Sequence, residues 1–224
     1  MKIALQTLVS ALLGVLFFMV LLFAPAGTLG YWQAWVFIAV FVVVTTVPSV
    51  YLAVKRPEVL QRRMRAGPMA ESRPVQKFAS AGAFVAFVAM SVLSAFDHRF
   101  AWSTVPPAVS VVGNVLVAVG LGASMLVVIQ NSYAAANITV EAGQTVVSSG
   151  LYGIVRHPMY AGAVIMMVGL PLALGSYWGL VVLVPGIIVL AVRIHDEEDM
   201  LVNELAGYRD YMHTVRYRLA PHVW

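Results

Sequence analysis

Residues 150–162 read Gly-Leu-Tyr-Gly-Ile-Val-Arg-His-Pro-Met-Tyr-Ala-Gly, and residues 193–199 read Arg-Ile-His-Asp-Glu-Glu-Asp. The segment between these two polar clusters, residues 158–192, has no ionisable side chain except tyrosine. We expect this segment to form an apolar helical hairpin that enters the membrane from one surface and returns to it. The hairpin would bring the two polar clusters together.

The Arg156-His157-Pro158 element has the features of an anion-binding helix start. Proline is favoured at the first position of a helix, and the first backbone amides of a helix have no partner within it. These amides attract anions, and Arg156 beside them would strengthen the attraction to a carboxylate or phosphate. The alternative is that Arg156 and His157 only anchor a span at the lipid headgroups.

The composition is that of a membrane protein. The 224 residues are 61% hydrophobic and 11% charged, whereas a soluble domain has about 25% charged residues. Residues 3–54 and 100–140 contain no Asp, Glu, Lys, Arg or His, and one membrane span needs about 20 apolar residues. The sequence therefore predicts an all-α fold, a polytopic membrane helix bundle with five to six transmembrane helices. Before the hairpin, four spans are predicted, at residues 3–23, 32–54, 78–96 and 108–129.

Charge distribution predicts the orientation. The loop at residues 55–77 carries seven basic and two acidic side chains, which indicates a cytoplasmic location by the positive-inside rule. After Val192, apolar residues recur at helical spacing as far as Val215, which predicts a cytoplasmic amphipathic C-terminal helix. Both termini are then cytoplasmic, and the expected location is the plasma (inner) membrane.

We divide the chain into two parts of one integrated membrane domain. Residues 1–129 hold the N-terminal transmembrane helices. Residues 130–224 hold a cofactor-binding connector, the helical hairpin and the C-terminal amphipathic helix.

Several classes of site are disfavoured. The chain has no cysteine, so disulfides, thiolate metal sites and a cysteine nucleophile are excluded. Its histidines have no convincing metal-ligand spacing, and we predict no metal site. The excess of basic residues is attributed to membrane orientation, so no nucleic-acid partner is expected.

The second cluster supplies charge of both signs. Arg193 and Glu197 are one helical turn apart, so the carboxylate could orient the arginine. Together with Arg156 they would suit a zwitterionic cofactor with an aromatic portion, and the bilayer would supply a lipophilic partner. The plainer interpretation of residues 196–199 is a solvated helix face.

The C-terminal third of the chain resembles the membrane-embedded methyltransferases of the isoprenylcysteine carboxyl methyltransferase and phospholipid methyltransferase superfamily. The matching elements are Gly150-x-Tyr152-x-x-Val155-Arg156-His157-Pro158-Met159-Tyr160-x-Gly162, Glu197-Glu198-x-x-Leu201, Gly207-Tyr208-x-x-Tyr211 and Tyr217-Arg218-Leu219-x-Pro221. The first 130 residues match only in hydropathy.

The resemblance implies methyl transfer from S-adenosylmethionine, with S-adenosylhomocysteine as the product. It implies a lipophilic acceptor that enters from the bilayer, either an isoprenoid-linked carboxylate or a phospholipid amine, and contact with membrane lipids. Arg193 corresponds to a catalytic arginine near the reacting carboxylate. The cofactor-binding residues implied by the resemblance are Gly150, Tyr152, Arg156, His157, Pro158, Tyr160, Gly162, Glu197 and Glu198.

Two other functions stay open from the sequence. Sterol reductases that use NADPH carry a similar Arg-His-Pro-Asn-Tyr-x-Gly-Asp element, but here Met159 replaces the asparagine and Ala163 the aspartate. A non-catalytic membrane scaffold or solute carrier is disfavoured because the long spans contain no charge. The sequence leaves open the oligomeric state and the identity of the acceptor.

Overall fold

The computed structural model describes residues 2–64, 71, 73–134, 140 and 143–224, and the helices account for nearly all of its regular structure. Parts of the predicted basic loop (residues 65–70 and 72) and of the connector (135–139, 141 and 142) lie outside the described residues. The α-helices are α1 Lys2–Ala26, α2 Trp32–Lys55, α3 Pro57–Met64, α4 Pro74–Phe100, α5 Pro107–Gln130, α6 Pro158–Ala173, α7 Leu183–Glu204 and α8 Tyr208–Thr214. Short 3₁₀ turns at Gly150–Gly153 and Trp178–Val182 precede α6 and α7.

Five segments within the described residues are long and apolar enough to cross a membrane. They are Val9–Ala26, Trp32–Lys55, Pro74–Phe100, Pro107–Gln130 and Trp178–Glu204. The apolar helix α6 has only 16 residues, which span about 24 Å, less than the roughly 30 Å of a hydrocarbon core. Over its described residues the protein is therefore an all-helical integral membrane protein with five candidate spans and one shorter apolar helix.

Prolines set the starts of several helices. Pro57, Pro74, Pro107 and Pro158 are each the first residue of a helix, where the missing N–H has no intrahelical partner to lose. The start of α6 therefore coincides with the Arg-His-Pro element, as the sequence predicts.

Helix α6 lies against α5 at very short range. A side chain at Gly120 would place its Cβ 2.4 Å from the Gly162 carbonyl oxygen, so only glycine allows this approach. Gly122 of the same helix is different, because a Cβ there would meet nothing within 4 Å among the described residues. Gly122 lies two residues along the helix, about 200° away from the face that carries Gly120.

The C-terminal segment is divided differently from the sequence expectation. Helix α7 continues through the acidic cluster to Glu204, because no glycine or proline follows Gly186 within the helix. It ends before Gly207, whose φ of +82° is left-handed and favours glycine. The short helix α8 follows, and its buried face, Tyr208 and Tyr211, packs with Leu205 and Val215.

Candidate active site

The two polar clusters of the sequence meet around one buried carboxylate. Glu198 Oε1 accepts a hydrogen bond from Arg156 Nε at 2.7 Å and lies 3.1 Å from His157 Nε2. Its second oxygen, Oε2, accepts a hydrogen bond from Arg218 Nε at 2.8 Å. We name Arg156, His157, Glu198 and Arg218 the Glu198 cluster. Buried charges are tolerated when they are paired in this way.

Arg218 is a member of this cluster that the sequence prediction of the site omitted. The segment around it runs beside the start of α6, where Arg156 N–H donates to the Tyr217 carbonyl at 2.8 Å and His157 N–H donates to the Arg218 carbonyl at 2.9 Å. The guanidinium of Arg156 also donates to the carbonyls of Val215 and Arg216. Arg156 therefore contacts both the C-terminal tail and Glu198 through Nε and Nη1 of its guanidinium. The sequence had suggested that this guanidinium binds an anionic ligand.

Arg193 belongs to a second network on the α4 side of α7. Its Nη2 donates to Glu71 Oε1 at 2.8 Å, its Nη1 donates to Ser80 Oγ, and its Nε donates to Tyr160 Oη at 2.9 Å. Glu71 is 3% exposed and comes from the predicted basic loop, where no motif marked it. Arg73 of the same loop pairs with Asp196 at 2.6 Å. The loop and the polar end of α7 are thus at the same end of the bundle.

A cavity lies beside both networks. Its walls come from the connector, the 3₁₀ turn before α6, the start of α6, the end of α7, and α8. The lining residues are Asn131, Tyr133, Ala134, Gln144, Thr145, Val146, Val147, Tyr152, Arg156, His157, Pro158, Met159, Tyr160, Glu197, Met200, Leu201, Leu205, Tyr208 and Tyr211.

Six of the ten residues predicted for the site line this cavity, and four lie behind its walls. The lining six are Tyr152, Arg156, His157, Pro158, Tyr160 and Glu197. Glu198 and Arg193 are outside the lining and contact it through His157 and Tyr160. The two glycines pack against α5.

The predicted glycines explain how the wall is built. Gly150 has a φ of +63°, and a Cβ there would lie 2.8 Å from the Gln130 amide. The same amide accepts a hydrogen bond from Leu151 N–H at 3.1 Å. Gly162 faces the Gly120 carbonyl, where a Cβ would approach to 2.6 Å. Their contacts in the structure fix the 3₁₀ turn and α6 against α5.

Two polar atoms at the cavity have no hydrogen-bond partner among the described residues: Glu197 Oε2 and Tyr208 Oη. Glu197 Oε2 lies 3.9 Å from His157 Nδ1, which is too far for a hydrogen bond. Tyr208 is 4% exposed and is not among the site residues predicted from the sequence. Buried polar atoms are nearly always paired, so these two mark a place where a ligand can bind.

Three tyrosine hydroxyls at the cavity, those of Tyr152, Tyr208 and Tyr211, have raised pKa values. Burial raises the pKa of Tyr152 to about 12, and nearby Glu197 adds to the rise, while the hydrogen bond from Asn131 opposes it. Burial also raises the pKa of Tyr208 and of Tyr211. At neutral pH these groups are hydrogen-bonding partners without charge. Tyr211 Oη uses its hydrogen on the Tyr152 carbonyl at 2.7 Å.

The cavity therefore offers one carboxylate oxygen, neutral hydroxyls and aromatic surface to a small molecule. No cluster of three or more His, Cys, Asp or Glu residues with metal-binding geometry occurs within the described part of the chain.

The comparison with known families covers most of this region. Residues 108–207 match the model of a family described as phospholipid methyltransferase. The match begins in α5, includes α6 and α7, and ends one residue before Tyr208. No curated protein matches the chain.

Proposed function

Through residues 108–207 the chain belongs to the superfamily of isoprenylcysteine carboxyl and phospholipid methyltransferases, and from this premise we propose that it transfers a methyl group from S-adenosylmethionine to a lipophilic acceptor. The family is one of membrane methyltransferases. The methyl donor, the acceptor and the membrane face are the parts that we propose. The acceptor would be a carboxylate on an isoprenoid group or the amine of a phospholipid, reached from the bilayer.

The observation that carries the proposal is the unpaired oxygen of Glu197 at the cavity. A carboxylate in a partly desolvated site favours a ligand with positive charge, and S-adenosylmethionine carries two such groups, an ammonium and a sulfonium. When bound, this cofactor supplies a methyl group made electrophilic by the sulfonium. The aromatic rings of Tyr152, Tyr160 and Tyr211 provide apolar contact for an adenosine portion.

The residues of the second network would act by positioning. Glu71 holds the Arg193 guanidinium, and Arg193 in turn holds the Tyr160 hydroxyl at the cavity wall. Displacement at a methyl group depends strongly on alignment, so rigid support of this kind is useful. Direct contact between Arg193 and the acceptor stays a prediction, and the contacts of its three nitrogens favour a positioning role.

We propose that the site faces the cytoplasm. Glu71 and Arg73 of the basic loop contact the polar end of α7, and a loop rich in arginine and lysine favours the cytoplasmic side. The positive-inside rule also favours cytoplasmic termini, and location in the plasma (inner) membrane stays a prediction. Because the basic loop contacts the polar end of α7, the loop and the cavity should face the same side of the membrane.

Calorimetry with purified protein tests the cofactor. Wild type should bind S-adenosylmethionine, and Arg156→Ala and Glu198→Ala should abolish binding because each leaves buried charges unpaired. Glu204→Ala is the matched control, since Glu204 is exposed on the same helix and should leave the affinity unchanged. Absence of binding by wild type would remove the proposal, and a saturable response to NADPH instead would favour the reductase.

The chemistry of the product identifies the acceptor. Membranes containing the protein are incubated with S-adenosylmethionine labelled in the methyl group, and the lipid fraction is then treated with base. Label released as methanol identifies a methyl ester and therefore a carboxylate acceptor. Label that stays with the lipid headgroup identifies an amine, and failure to label any lipid would contradict a lipophilic acceptor.

A further inference from the structure

Tyr208 directly follows the segment that the family model matches, and its side chain lines the cavity. It is the first residue of α8 and is 4% exposed. Its hydroxyl has no hydrogen-bond partner within the part of the chain that the structure describes. A buried hydroxyl without a partner reduces stability, so its presence at a cavity points to a partner on a ligand.

Glu197 presents a second such atom to the same cavity. Its Oε2 is buried and unpartnered among the described residues, and the nearest histidine nitrogen is 3.9 Å away. Glu198, the neighbouring carboxylate, accepts from two arginines and contacts a histidine. The two adjacent glutamates therefore differ in hydrogen bonding. Both oxygens of Glu198 accept hydrogen bonds from the protein, whereas Oε2 of Glu197 has no partner among the described residues.

The positive charges near the cavity are already used by other groups. Arg156 and Arg218 pair with Glu198, and Arg193 pairs with Glu71. No arginine or lysine nitrogen in the described ranges lies within 4.0 Å of the Glu197 carboxylate. Burial is the main cause of the raised pKa of Tyr208, followed by Glu198 and Glu197. Tyr208 is therefore a neutral hydroxyl that lines the same cavity as the Glu197 carboxylate.

We infer that Glu197 and Tyr208 together bind a positively charged amino group of the ligand. An ammonium has three N–H donors and no acceptor, so it can donate both to a carboxylate oxygen and to a hydroxyl oxygen. The inference rests on the proposed function, in which this group is the α-ammonium of the amino-acid portion of S-adenosylmethionine. Tyr208 thereby becomes a ligand-binding residue.

Two ligands and three variants test this assignment by calorimetry. The ligands are S-adenosylhomocysteine and its analogue in which hydrogen replaces the α-amino group. The variants are Glu197→Gln, Tyr208→Phe and the control Tyr217→Phe. The Tyr217 hydroxyl contacts His222 outside the cavity. Thermal melting of each variant verifies that it is folded.

Glu197→Gln and Tyr208→Phe should each weaken the binding of S-adenosylhomocysteine by about tenfold or more. The first removes the negative charge that faces the ammonium, and the second removes a hydroxyl acceptor. The same variants should bind the deaminated analogue as wild type does, and Tyr217→Phe should leave both affinities unchanged.

The outcomes separate the two proposals. If wild type binds S-adenosylhomocysteine but both variants bind it equally well, only the amine assignment is overturned. An equal loss of affinity for both ligands would also overturn the amine assignment, because Glu197 and Tyr208 would then contact another part of the ligand. If wild type binds neither ligand, the proposed function and this inference fail together.

Discussion

Two carboxylates at opposite ends of the bundle, the buried Asp97 and the half-buried Glu197, differ in how fully they are paired. Asp97, near the end of α4, is 1% exposed; its Oδ1 accepts from Ser103 N–H at 2.7 Å, and its Oδ2 accepts from the hydroxyls of Ser103 and Ser176. We name these three residues the Asp97 cluster. Glu197, at the other end, has one oxygen unpartnered among the described residues.

The difference separates a structural network from a binding site. A saturated buried network adds stability and rigidity, whereas an unsatisfied one reduces stability. The Asp97 cluster connects the end of α4 with the turns before Pro107 and after α6, and its oxygens are used by the protein. The cavity end keeps an open carboxylate oxygen and an open hydroxyl. Binding sites commonly keep such groups at a cost in stability.

The largest expected effect comes from Glu198→Gln. It leaves Arg156 and Arg218 without their opposite charge, and breaking a buried pair in this way costs about 3–5 kcal/mol. The melting temperature in detergent should fall strongly and binding of S-adenosylhomocysteine should disappear. Glu204→Gln, on the exposed part of α7, serves as control. A melting temperature equal to that of the control would contradict the role given to the Glu198 cluster.

Asp97→Asn should have a smaller and purely structural effect. The amide introduces an N–H group that faces hydroxyl donors, so we expect a loss of about 1–3 kcal/mol of stability. The affinity for S-adenosylhomocysteine should not change, because the Asp97 cluster is at the opposite end of α4 from the cavity. Comparable losses of affinity in Asp97→Asn and Glu197→Gln would end the contrast between the two carboxylates.

Two tyrosines provide the smallest and most direct comparison. The Tyr31 hydroxyl donates to the Leu174 carbonyl, so Tyr31→Phe should lower the stability of the ligand-free protein by about 1 kcal/mol. Tyr208→Phe removes a hydroxyl without a described partner, so stability should be unchanged or slightly higher. Thermal melting without ligand measures both. A decrease in Tyr208→Phe equal to that in Tyr31→Phe would indicate a structural role for the Tyr208 hydroxyl.

The sequence alone determined the helical membrane class and the start of α6. Long segments without charge can be stable in a bilayer only as helices that satisfy their own backbone, and prolines at first helical positions indicated where several helices begin. It also indicated that Arg156, His157 and Glu198 meet, since an apolar hairpin between polar ends returns to the surface from which it left.

Only the tertiary structure decided which polar groups are used by the protein and which remain for a ligand. Glu71 and Arg193 are separated by 122 positions. Arg156 donates hydrogen bonds to backbone carbonyls of the C-terminal tail, about 60 residues away. Local pattern carries no information about such partners, because they depend on how distant helices pack. For the same reason, the sequence did not show that Gly162 packs against α5 or that the Tyr208 hydroxyl lies without a described partner at the cavity.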